Sequence, residues 1–289
     1  MAIKTAIIPV AGMGTRMLPA VKAQPKEMLP VVDKPIIQYI VEEAVAAGIE
    51  NIIFVTAIGK RAIEDHFDRN FELEYRLRQK GKTEILKQVS SIGKLAKFSY
   101  VRQTKPLGDG HAVLTALPFV DKHEPVAVLF GDDIVDTKKR SGIGQLIDAY
   151  EKYQDPVIMV AEVPKKEVSK YGVISGTDLG DGTWQIKKFV EKPPVEKAPS
   201  NLAVAGRYVL SPDYMARLAK TKPGKDGEIR LANAFVDHLK EGKPVYGQVL
   251  DGEWLGCGDK FGLIKASIIM GLRHPEVKTE LKKYLKKVC

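Results

Sequence analysis

The sequence predicts an α/β protein: a mixed, mostly parallel sheet flanked by helices on both faces. Three observations predict it. Strand-like and helix-like runs alternate through the first half of the chain. Several strands are short, continuous apolar runs, as expected where a strand is buried on both faces. Three of them end in loops rich in glycine, amide or acid, at the carboxyl ends where ligands sit in open α/β sheets. The 289 residues, 44% of them hydrophobic, suffice for one large domain or two small ones. No repeat, low-complexity tract or linker divides them, so one continuous domain over residues 1–289 is expected, with C-terminal helices from about residue 260.

Residues 4–10 are apolar and rich in strand formers, and the run ends in a glycine loop. Pro35 begins a helical pattern in which Ile36, Ile37, Ile40, Val41 and Ala44 share a face, and Gly48 is placed to end it. Residues 51–56 read as a buried strand and 62–67 as a short helix. Residues 71–92 read as one longer, more charged helical region. A strand over 98–103, a helix over 111–117 and an apolar strand over 126–130 follow, the last leading into Gly131-Asp132-Asp133. The second half predicts strands over 157–163, 172–174, 184–191 and 202–210, helices over 212–219 and 228–239, and a strand over 245–250.

The net charge is +9, and much of the basic excess lies in the tail, at Lys278, Lys282, Lys283, Lys286 and Lys287. That pattern suits the solvated face of a helix, and no aromatic-and-basic motif accompanies it, so nucleic acid is not an expected partner. Cys257 and Cys289 are too few for a disulfide framework or a cysteine zinc site, and the 5 histidines lack metal-ligand spacing. The chain runs straight into a strand without a signal peptide, and no apolar run is long enough to span a bilayer. A cytoplasmic protein with no membrane partner is the simplest expectation.

The segment from Ile8 to Arg16, with Lys26 and Glu27 after it, carries the most chemistry. Small residues such as Ala11, Gly12 and Gly14 let backbone N–H groups approach phosphate oxygens. Arg16 and Lys26 supply fixed positive charge for a triphosphate and its leaving group. A dinucleotide fingerprint would need a third glycine where Met17 stands, and Pro19 interrupts the helix it requires. A ligand-free turn explains the glycines but not the charges beside them. Asp132 follows an apolar strand, as a Mg²⁺ ligand would or as a turn-capping residue would. Asp133, its neighbour, is the alternative ligand, and if the strand alternation continues this far only one of the two points into the site. Gln103 offers the donor and acceptor a base edge needs, and Gly108 and Gly110 let backbone approach that base. A polar strand terminus followed by a flexible loop fits equally.

The ordered stretches PVAGMGTR, PKEMLPVVDKPIIQY, VRQ, GHAVL, SKYGVI, VEKP and APSNLAVAGRYVL, between Ala6 and about Leu272, are together far more specific than any one of them. The chain resembles the bacterial UTP–glucose-1-phosphate uridylyltransferases of the sugar-nucleotide pyrophosphorylase family. The resemblance implies a Rossmann-like nucleotidyltransferase fold, Mg²⁺ as cofactor, and UTP and glucose 1-phosphate as substrates. It implies that Ala11, Gly12 and Gly14 meet the nucleotide through backbone. Arg16 and Lys26 would then bind the triphosphate, with Glu27 supporting that loop, and Gln103 and Gly108 would read uracil. Asp132 aligns with the magnesium aspartate. Gly172 and Glu191 would contact the sugar, Lys192 would hold its phosphate, and Asn201 and Gly206 lie in the segment lining the sugar pocket. It also implies a homodimer or homotetramer, for which the amphipathic tail with Leu263, Ile264, Ile268, Ile269 and Leu272 is a candidate contact.

The chain departs from the family at three places. Gly256 stands where a second metal aspartate is usual, Ala232 and Asn233 stand where threonine and aspartate are typical, and the loop around Asp109 differs. Asp132 with phosphates and waters can satisfy Mg²⁺. Asp133, Asp251 and Asp259 are the available substitutes for the missing carboxylate. Three functions therefore stand: an active uridylyltransferase, a relative using another nucleotide such as dTTP or another sugar phosphate, and a catalytically weak, nucleotide-binding regulator.

Overall fold

A computed structural model describes residues 3–288, and Cys289 lies outside the described residues. Strand β1 (Thr5–Pro9) leads through the glycine loop and two 3₁₀ turns to a small hairpin, β2 (Pro30–Val31) and β3 (Lys34–Pro35). Then come α1 (Ile36–Ala46), β4 (Asn51–Thr56), α2 (Arg61–Phe67), α3 (Phe71–Gln79), α4 (Thr83–Ile92) and β5 (Lys97–Arg102). The middle of the chain forms α5 (Asp109–Ala116), β6 (Val126–Leu129), β7 (Asp133–Asp136), α6 (Gly142–Tyr153) and β8 (Val157–Glu162). It continues with β9 (Gly172–Asp178), β10 (Thr183–Glu191), β11 (Leu202–Leu210), α7 (Pro212–Leu218) and α8 (Leu231–Lys240). The remaining elements are β12 (Tyr246–Val249), β13 (Glu253–Gly256), α9 (Lys260–Arg273) and α10 (Lys278–Val288).

A 9-stranded sheet runs β5-β4-β1-β6-β11-β8-β12-β10-β9. β5, β4, β1 and β6 are mutually parallel, and β8 and β12 pair in parallel. Only β10 and β11 run against the common direction, which gives the mixed, mostly parallel sheet the sequence predicts. The period of 2 along each strand divides the core. Ile8, Ile52 and Phe54 face one apolar cluster with α1 and α6, while Ile7, Ile53 and Val55 face another with α5 and α8.

Three local differences from the predicted elements have plain causes. The charged region over 71–92 is two helices, because Gly81 takes φ +63° and ends the first. Helix α6 is absent from the predicted elements, since Gly142 and Gly144 dilute its first turn. Its glycine is a packing requirement: a Cβ at Gly142 would lie 2.6 Å from Val135 Cγ1. The ribbon of β7 and β13 reads locally as loop and becomes strand only by antiparallel pairing across the chain.

Candidate active site

The site lies beyond the carboxyl ends of β1, β5 and β6. The chain leaves β1 through residues 10–14, where Gly14 adopts φ +66° and packs against Lys26, so a Cβ there would meet the lysine stem at 3.2 Å. Glu27, 1% exposed, is held by Lys60 Nζ at 2.8 Å. Burial raises the Glu27 pKa, and Lys60 and Lys26 offset this in part. Burial would lower the pKa of Lys26, but Asp132 and Glu27 outweigh it and the pKa is raised. Lys26 Nζ donates to Asp132 Oδ2 at 2.5 Å. Burial opposes ionisation of Asp132, yet Lys26 and Arg16 prevail and hold its pKa below the ordinary value. The loop after β1 and the loop after β6 are therefore joined by an ion pair.

Asp133 begins β7 and lies across the ribbon from Gly256. Burial, then repulsion from Asp132, pushes its carboxyl up to about 7 against the attraction of Arg207. Arg207 is fully buried and binds both oxygens of Glu43, with Nη2–Oε2 at 2.7 Å. It also donates to the carbonyl oxygens of Gly206 at 3.2 Å and Asp133 at 2.5 Å. Gly206, at φ +64°, interrupts the regular β11–β8 register, and a Cβ there would lie 2.7 Å from Asp133 Oδ2.

Two cavities open on this frame. The loop cavity, about 530 Å³, is lined by Ala11, Gly12, Lys26, Glu27, Gln103 and Gly108 among others. The ribbon cavity, about 480 Å³, is lined by Arg16, Gly172, Glu191, Lys192, Gly206 and Gly256 among others. Asp109, Phe130 and Asp132 line both. In the loop cavity the Gln103 side-chain amide donates to Gly108 O at 3.0 Å and contacts His111 Nδ1 at 2.9 Å. In the ribbon cavity Gly172 and Glu191 are cross-strand partners, and a Cβ at Gly172 would lie 3.0 Å from Glu191 Oε2.

The family profile of nucleotidyl transferases matches residues 5–270. The chain belongs to the nucleotidyl transferase family. A UTP–glucose-1-phosphate uridylyltransferase of Streptococcus pneumoniae is 49% identical over 287 residues, covering 98% of this chain and 95% of that protein. A structure described as a UTP-bound UGPase from Acinetobacter baumannii aligns with TM-score 0.91 and 41% identity, over 99% of this chain and 100% of the other. A structure of a UDP-glucose pyrophosphorylase complexed with UDP-glucose aligns with TM-score 0.85 and 43% identity, over 94% of this chain and 100% of the other. The fold is that of the nucleotidyltransferases.

Most residues singled out from the sequence gather at the two cavities of this nucleotidyltransferase. Gly14 acts one step back, by seating Lys26. Asn201 does not join them: it is exposed at the turn before β11, where its carbonyl accepts the Val163 N–H at 3.0 Å. Among the substitutes for the missing carboxylate, Asp259 lines the ribbon cavity, but its Oδ1 accepts the Gly262 N–H at 2.9 Å and caps α9. Asp251 lines neither cavity. Among the described residues no group of 3 or more His, Cys, Asp or Glu side chains forms a metal cluster. The adjacent acids Asp132 and Asp133 both line the ribbon cavity.

Sequence reasoning missed the two supports of this site. Lys60 sits in no motif, and its role depends on the distant Glu27. Arg207 lies inside the stretch APSNLAVAGRYVL, and a lone arginine in an otherwise apolar strand was the available signal.

Proposed function

We propose that this chain transfers the uridylyl group of UTP to glucose 1-phosphate, giving UDP-glucose and pyrophosphate. The observation that carries the reading is the pair of cavities meeting at Asp132, one lined by glycine-loop backbone and the Gln103 amide, the other by Glu191 and Lys192. The names of the similar proteins support the same reaction. A phosphate oxygen of glucose 1-phosphate attacks the α-phosphorus of UTP. One P–O bond forms, the bond to the β-phosphate bridge breaks, and pyrophosphate leaves. The difficulty is bringing two anions together, so orientation and fixed positive charge are the main contributions.

Ala11 and Gly12 approach the nucleotide through backbone, and Arg16 and Lys26 neutralise the triphosphate. Because the Gln103 NH₂ is committed to Gly108 O and His111, its Oε1 is the atom left to accept the N3–H of uracil. Thymine presents the same N–H, while cytosine does not. Glu191 accepts from sugar hydroxyls, and Lys192 pairs with the sugar phosphate. Mg²⁺ fits the donor set, since Asp132 and Asp133 supply hard oxygens and phosphates complete a shell of that kind. When bound, Mg²⁺ offsets charge on the phosphates.

Pyrophosphate release from purified protein with UTP, glucose 1-phosphate and Mg²⁺, beside Asp132→Ala and an EDTA control, tests the reading. Robust turnover lost in both controls supports it, and a panel with dTTP and CTP separates the uridylyl from the thymidylyl reading. Gly256 favours a second reading, a nucleotide-binding regulator of low activity, because the ribbon brings no carboxylate to face Asp133. UTP binding without turnover would replace the first reading with the second. A homodimer or homotetramer in the cytoplasm completes the proposal, supported by Phe261 and Ile264, exposed on α9 at 76% and 57%. Light scattering of the purified chain tests the assembly. Among the described residues no helix is long and apolar enough to cross a membrane.

A further inference from the structure

Asp109 lines both cavities, and the reaction above assigns it no chemical step. It opens helix α5, and its Oδ1 accepts the N–H of Leu231, the first residue of α8, at 2.9 Å. Helix α8 has no side-chain cap of its own at Arg230. Backbone bonds run beside this contact, from Ile229 N to Leu107 O at 2.7 Å and from His111 N to Ile229 O at 3.2 Å. The loop lies so flat on this segment that a Cβ at Gly108 would come within 2.6 Å of Ile229 O. Gly108 O in turn fixes the Gln103 amide in the loop cavity, while Arg230 and Ala232 line the ribbon cavity.

We propose that Asp109 is a positioning residue: by capping α8 from the first turn of α5, it fixes the spacing between the uracil-reading wall and the sugar-side wall. The chemistry suits an aspartate. Its side-chain oxygen accepts orphan N–H groups at a helix N-terminus, and although burial raises the Asp109 pKa, the Leu231 and Gly110 amides offset this in part. Here two helix N-termini, those of α5 and α8, converge on one side chain. The proposal rests on the uridylyl-transfer reading for its kinetic test, but the contact itself is checked without turnover.

The experiment compares wild type, Asp109→Asn and Asp109→Ala by steady-state kinetics for both substrates and by amide hydrogen exchange at Leu231. Asn keeps an acceptor oxygen and Ala removes it. In wild type and Asp109→Asn the Leu231 amide is protected, and both KM values of the Asn variant stay within about threefold of wild type. In Asp109→Ala the protection falls and the KM values for UTP and glucose 1-phosphate rise together by about tenfold, with kcat changed by less than about threefold. An unprotected Leu231 amide in wild type overturns the proposal, as does a KM increase for one substrate alone or an Asn variant as impaired as the Ala variant. Should Asp109→Ala fail to fold, exchange in wild type and the kinetics of Asp109→Asn still decide. Absence of turnover in wild type would sink the uridylyl reading and leave the exchange result to judge Asp109.

Discussion

On the side of β1, β4 and β5 the strands are parallel, and each hands its chain to a loop at the same end of the sheet. On the side of β9 and β10 the strands are antiparallel, and Gly172 and Glu191 face each other across that strand pair at the wall of the ribbon cavity. The parallel side holds its charges inside: the side chains of Lys60 and Glu27 are 7% and 1% exposed, 2.8 Å apart. The ribbon side leaves them in water: Lys192 and Glu191 are 64% and 38% exposed, 3.6 Å apart. Buried charges are fixed before substrate arrives, whereas exposed ones are screened and reorient. The charges at the loop cavity are thus preorganised, whereas those of Lys192 and Glu191 at the ribbon cavity remain free to reorient.

The largest effect belongs to the residue both sides share. Asp132→Ala should lower kcat/KM by about 10³-fold, roughly 4 kcal/mol, in pyrophosphate release. A loss of less than tenfold would mean the two cavities do not converge on that carboxylate. Next comes the contrast in stability. Lys60→Met should cost about 3 kcal/mol in urea unfolding, because it strands Glu27 in the interior, while Lys192→Met should cost less than about 0.5 kcal/mol. The pH dependence sharpens this. Burial already raises the Glu27 pKa, and removing Lys60 raises it further. A carboxyl with a raised folded pKa loses stability as pH climbs through the range between its unfolded and folded values. The Lys60→Met deficit should therefore be smaller at pH 5 than at pH 8, and equal costs in the two lysine variants would erase the contrast.

Glu191→Gln should raise KM for glucose 1-phosphate by about tenfold, near 1.4 kcal/mol, and leave KM for UTP alone. A shift in the UTP value would show that the ribbon also shapes the nucleotide subsite. The smallest effect is a pH response present on both sides. His66 on α2 and His238 on α8 both have pKa values lowered by burial, Asp213 partly offsetting this at His238. The unfolded chain then binds more protons as pH falls below about 6.5, so the folded state weakens there. His238→Gln should flatten the fall in melting temperature between pH 7 and 5, and an unchanged slope would remove His238 as a contributor.

The parallel side was legible in the sequence because its signals are local. A strand buried on both faces is a continuous apolar run, and on this side β4 matches its expected bounds, Asn51–Thr56. Glycines at positive φ sit next to the residues they serve, as Gly14 does. The site residues of the ribbon side were legible only through resemblance, since nothing local distinguishes Glu191 and Lys192 from a solvated charge pair. Asn201 misled for the same reason: a polar residue at a strand entrance reads alike whether it faces a cavity or water.

The sequence by itself determined the alternation of elements, the common direction of most strands and the chemistry of the loops at their ends. Those properties follow from side-chain period and backbone freedom over a few residues. Only the tertiary structure decided that Arg207 binds Glu43 beneath Asp133, that Gly256 faces Asp133, and that Asp109 caps α8. Each of these depends on which distant segments the sheet lays side by side. A buried charge or an uncapped helix end must find its partner there, because no water is available to satisfy it.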